Sequence, residues 1–82
     1  MKLYLLYWDG WDYDQYSNAV VVAKSEEDAR KVHPHGPDGW DAKSIYSTWC
    51  KKPEDVTTVT YVGEASSDLN EGDVVCASFH AG

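Results

Sequence analysis

The stretch NAVVVAKSEEDARKVHP, residues 18–34, sets a strand directly against a helix. Residues 18–23 are β-branched and continuous, without polar alternation, which is the pattern of a strand covered on both faces. Ser25 then stands where an N-cap belongs, with Asp28 at the third helical position in an approximate capping box. Glu26, Glu27 and Asp28 fall at the positive end of the helix dipole, and Arg30, Lys31 and His33 at the negative end. Ala29 and Val32 share a face, and Pro34 disfavours helix at His33. The spacing predicts a helix of about two turns with a narrow apolar stripe.

Outward from that stretch, KLYLLYW at residues 2–8 is apolar at both parities and predicts a second strand buried on two faces. The connection between the two strands, about nine residues, is long for a hairpin. After the helix, PHGPDGWDAKS at residues 34–44 is a loop, with Gly36-Pro37-Asp38-Gly39 suited to a type I turn. Ile45, Tyr46 and Trp49 fit an irregular strand and a helical turn equally well. Residues 56–63 and 73–79 predict two further strands by their β-branched content. The expected fold is α+β, a mostly antiparallel four-stranded sheet with one short helix in the order β-β-α-β-β, forming a single domain over residues 1–82. One short helix covers only one sheet face. The other falls to residues 34–52, through Trp40, Tyr46 and Trp49, or to another molecule, so a homodimer through the sheet is an expected partner arrangement.

The formal net charge of −7 is unevenly spread: residues 53–82 hold six acids and no Lys or Arg. Direct nucleic-acid binding needs a basic footprint, and that third of the chain offers none. The opening MKLYLLYWDG lacks the apolar length and cleavage site of a signal peptide, and no stretch approaches the ~20 apolar residues of a membrane span. A cytoplasmic protein with no membrane partner is expected, its two cysteines, Cys50 and Cys76, as reduced thiols.

Chemistry-bearing motifs are scarce. His33 and His35 are two apart, and Cys50, Cys76 and His80 are scattered, so no zinc spacing occurs and these read as ordinary surface histidines and thiols. Asp9, Asp12 and Asp14 miss the calcium-loop pattern. Neither a nucleophile elbow nor a phosphate loop is present, and no catalytic residue, metal or cofactor is expected.

The remaining signal is WDGWDYDQY, residues 8–16. Trp11, Tyr13 and Tyr16, interleaved with Asp9, Asp12 and Asp14, lie in a connection expected at the surface. Such rings dominate binding hot spots, and the carboxylates attract Lys or Arg on a partner. With Trp40 they form the expected partner-binding set. A small-molecule or carbohydrate-binding module would use the same rings.

The segments YDQYSNAVVVAKSEEDARKVHP, KKPEDVTTVTYVGEA and VVCASFHAG, in that order, resemble a group of short acidic proteins encoded by phages and prophages, of unknown function. Members of the group tend to end in Phe-Asn-Ala-Gly, where this chain has His80. The resemblance implies an accessory protein acting in the bacterial cytoplasm, and it carries no assigned site residues. The expected role is binding, with inhibition as its consequence, of a host protein through the acidic and aromatic surface. A basic nucleic-acid-binding protein of host defence is the sharpest form of that expectation.

Overall fold

The computed structural model describes residues 1–36, 38–41 and 48–81. Strand β1 (Lys2–Tyr7) pairs antiparallel with β2 (Gln15–Ala23); helix α1 (Glu26–Arg30) follows, then β3 (Thr58–Glu64) and β4 (Val74–His80). The sheet is antiparallel throughout, in the order β3-β1-β2-β4, so the chain folds as α+β with little helix. The two strands that are apolar at both parities are the central ones, as that pattern requires.

The helix is held as its sequence predicts. Ser25 Oγ accepts the Asp28 N–H at 3.2 Å, and Ala29 is buried beneath it. Arg30 reaches across to donate from Nη1 to the Val56 carbonyl at 2.7 Å, tying the helix to the approach of β3. At five residues the helix is shorter than two turns. The chain leaves it early because His33 turns inward and is only 3% exposed. This corrects the expectation of a surface histidine: the ring lies edge-on to Trp40 with centroids 4.9 Å apart, and its Nδ1 accepts the His35 N–H at 2.9 Å. Burial, and then the charge of His35, push the His33 pKa down to about 4. A Cβ at Gly39 would overlap the His33 ring, so only glycine lets the chain close over it. The Gly39 N–H to Gly36 carbonyl bond, 3.0 Å, closes the expected turn, whose Pro37 lies outside the described residues.

One face of the sheet carries the core. Tyr4, Leu6, Ala19, Val21 and Ala23 pack with Ala29, Trp49, Cys50 and Val56. Trp49 is fully buried and meets Trp8 edge to face at 6.0 Å. It therefore does not cover the second face as expected; it completes the first, and Trp40 packs against the same cluster. Ile45 and Tyr46 lie outside the described residues. Cys50 is buried too, its thiol pushed up to about 12 by burial and by the nearby carboxylate of Asp55.

The opposite face follows from the register. Thr60, Leu5, Val20 and Cys76 form one row across the four strands, and Thr58, Tyr7, Asn18 and Ser78 form the next. Leu5 and Val20 are half-buried, whereas Thr58, Thr60, Tyr7 and Cys76 are exposed. Among the described residues, those of 34–52 that join the core do so on the helix side.

Candidate binding surface

Strand β2 begins at Gln15, three residues before the valine-rich stretch, which shortens the β1–β2 connection to residues 8–14. Tyr16 is thus a strand residue. Its ring packs against the core and meets Phe79 at 5.0 Å, edge to face. It supports the loop from below instead of standing in it.

The loop is tied down along its length. Trp8, leaving β1, donates its N–H to the Ser17 carbonyl at 2.9 Å and lays its indole against Trp49. The chain then doubles back over that indole at Gly10, where a Cβ would sit 2.7 Å from Trp8 Nε1. Asp9 clasps Thr57: its N–H donates to Thr57 Oγ1 at 2.9 Å, and that hydroxyl donates to Asp9 Oδ1 at 3.1 Å. Asp12 makes a local turn, its N–H on Gln15 Oε1 and its Oδ1 accepting the Tyr13 N–H, both at 2.7 Å. Asp14 takes a left-handed conformation at φ 61° and donates its N–H to the His80 carbonyl. Aspartate tolerates that region better than most side chains.

His80 is the other anchor. Trp11 stacks on its ring, centroids 3.9 Å apart and planes 16° from parallel, while His80 Nε2 lies 2.8 Å from Ser17 Oγ. Ser17 is buried, so this Ser–His contact ties the end of β4 to β2 from within the fold. The loop therefore spans one end of the sheet, fastened to Thr57 before β3 and to His80 at the end of β4.

Two rings remain outside. Tyr13 is 74% exposed and Trp11 38% exposed, flanked by Asp9, Asp12 and Asp14, all exposed. Of the expected set, these five share one loop. Trp40 stands apart from it: its Nε1 donates to the Lys31 carbonyl at 2.7 Å and its ring packs on His33. Sequence reasoning missed His80 and Thr57 as supports. The pairing of β2 with β4 brings His80 to the loop across 63 residues from Ser17, and no local pattern carries that register.

Among the described residues, no three His, Cys, Asp or Glu side chains gather as metal ligands, and no helix is long and apolar enough to cross a membrane. No family model, curated protein or solved structure matches this chain.

Proposed function

We propose that this chain is a non-enzymatic binding protein that docks a basic segment of another protein on the 9–14 loop. The observation that carries the reading is the pair of exposed rings, Trp11 and Tyr13, held among three exposed aspartates by a braced loop. Bracing matters energetically, because a loop already ordered loses less conformational freedom on binding. An Arg or Lys side chain gains from both elements, stacking its cation on a ring while its donors meet a carboxylate. A neutral sugar would stack on the rings and hydrogen-bond the carboxylates, but only a cationic partner gains charge attraction from the three acids as well.

The resemblance to phage-encoded proteins supports a host protein of the bacterial cytoplasm as the partner. A basic nucleic-acid-binding protein of host defence fits the charge best, since its own binding face is cationic. The test is a titration of an Arg-rich peptide followed by tryptophan fluorescence, wild type beside Trp11→Ala/Tyr13→Ala. A saturable change in wild type that weakens from 0.05 to about 0.5 M salt and disappears in the variant is expected. A signal equal in both proteins would overturn the assignment of the loop.

A further inference from the structure

We infer that the outer edge of β4 takes an extended basic segment of another protein as a fifth strand, leading that segment onto the 9–14 loop. The inference rests on the loop reading above and gives the partner a conformation. Strand β4 is an edge strand, with β2 on its inner side. Its backbone direction follows from the ladder. Val22 donates its N–H to the Asp73 carbonyl, and its own carbonyl accepts the Gly72 N–H. Alternation along β2 turns Val20 and Asn18 the same way, toward their partners Cys76 and Ser78. At the far end the His80 carbonyl accepts the Asp14 N–H on that inner side. Ala77 and Phe79, the alternate residues, therefore turn their N–H and C=O groups outward. Among the described residues, none hydrogen-bonds to these four groups. Val75, Cys76 and Ala77 are exposed in succession, hence on both faces of the strand, and Phe79 is 47% exposed.

Open edges are ordinarily blunted by charge, proline or a bulge. The other edge strand follows that rule: Val62 is an extra residue opposite β1, and Glu64 ends the strand. The run Cys76–His80 contains no acid, lysine, arginine or proline. The irregularity alongside it falls on β2, at Ser17, and the extra residue of β4, Val75, lies before it. This run is a regular strand with its outer hydrogen-bonding groups left open, which is what strand addition uses.

Charge selects the occupant. Acids stand at both ends of β4: Asp73 precedes it, and Asp14 is bonded to its last residue. Residues 53–82 hold no Lys or Arg, and Lys24 at the Asp73 end lies 3.6 Å from Glu71. A second copy paired through β4 would set acid against acid at each end, whichever way it ran. A basic strand finds the opposite, backbone partners along Ala77 and Phe79 and carboxylates at either end. The edge also continues into the proposed site, because Trp11 stacks on His80 and Asp14 belongs to the loop.

The test uses the full chain and a capped peptide of alternating Arg and Val, about eight residues long, a pattern suited to an extended strand. Amide exchange followed by NMR should show Ala77 and Phe79 slowed about ten-fold or more at saturating peptide, with Val59 and Tyr61 on the other edge unchanged. The same peptide with alternate backbone nitrogens methylated keeps every charge and loses the donors of one edge. Prepared in both methylation phases, it should bind about ten-fold more weakly in at least one of them. Ala77→Pro removes an outward N–H without touching the β2 ladder, and should weaken the unmethylated peptide by a similar factor. Peptide that changes tryptophan fluorescence while Ala77 and Phe79 stay unprotected would overturn the inference and leave the loop reading standing. So would methylated peptides that both bind like the parent. No fluorescence response to any of the peptides would overturn the loop reading and this inference with it. Protection of Ala77 and Phe79 in the free protein that grows with its concentration would assign the edge to a second copy instead.

Discussion

The indole of Trp11 lies flat on the imidazole of His80, with centroids 3.9 Å apart and planes 16° from parallel. Trp11 is thereby both a surface residue and part of the brace, one face on the protein and the rest toward solvent. His80 is in turn set against the buried Ser17 hydroxyl and carries the Asp14 amide on its carbonyl. A loop braced this way is held in place by the fold itself.

Replacing His80 with Ala should release Trp11 while leaving the sheet intact. Aromatic pairing contributes about 0.5–1.5 kcal/mol, and the hydrogen bond to Ser17 about 1 kcal/mol, so a loss near 2 kcal/mol in urea unfolding is expected. The Trp11 indole N–H resonance should move toward its unstructured position. His80→Phe restores the stack without the hydrogen bond and should recover the resonance. An unshifted indole signal in His80→Ala would mean that the stack does not hold the loop.

Gly10→Ala should cost about 1–3 kcal/mol, because the new methyl meets the Trp8 indole and the chain has to move off it. Trp8→Leu clears that space, at a cost of its own from lost contact with Trp49. In a double-mutant cycle the Gly10→Ala penalty should shrink in the Trp8→Leu background. Full additivity would place the glycine requirement elsewhere.

Acid should weaken the fold through His33. Its pKa is lowered from 6.5 to about 4 by burial and then by His35, so the unfolded chain takes up a proton that the folded chain refuses. The folded state binds fewer protons across that window, so the stability His33 contributes is complete above about pH 7 and is lost as pH falls toward 4. At about 1.4 kcal/mol per unit, the loss by pH 5 is on the order of 2 kcal/mol. Urea unfolding of wild type from pH 7.5 to 5 should show that slope. His33→Gln should be less stable overall but nearly flat over the same range.

The two thiols should react very differently. Cys76 is exposed on β4, whereas Cys50 is buried with its thiol pushed up to about 12 and donating to the Lys52 carbonyl. Iodoacetamide at pH 8 and about 1 μM protein should label Cys76 in the native state and reach Cys50 only in denaturant. Peptide mass mapping separates the two sites.

Much of this architecture is legible in the sequence. Leu3, Leu5 and Tyr7 beside Tyr4, Leu6 and Trp8 marked a central strand, and Ser25 with the Glu-Glu-Asp turn marked the helix start. The face opposite the helix was legible only as a question. Both parities of β1 are apolar, but the two faces are treated differently: Tyr4 and Leu6 are buried in the core while Leu5 is half-covered. Other features depend on distant register. Gln15-Tyr16-Ser17 carries no strand pattern of its own and joins β2 because β4 lies alongside. Nothing near Trp49 distinguishes it from the exposed aromatics, yet it is the largest fully buried side chain, and its loss to Ala should cost about 3–5 kcal/mol. That Asp9, Trp11, Asp12, Tyr13 and Asp14 share an exposed loop is readable from the sequence; the contacts that brace it, through Thr57 and His80, are not.

The central claim is that the 9–14 loop is a contact surface for a basic protein. It is tested most directly by affinity capture from bacterial lysate, wild type beside Trp11→Ala/Tyr13→Ala, with both folded by circular dichroism. The account predicts a basic protein retained by wild type, lost from the variant and released from wild type by about 0.5 M salt. Identical captured proteins from the two baits, or a wild-type partner indifferent to salt, would contradict it.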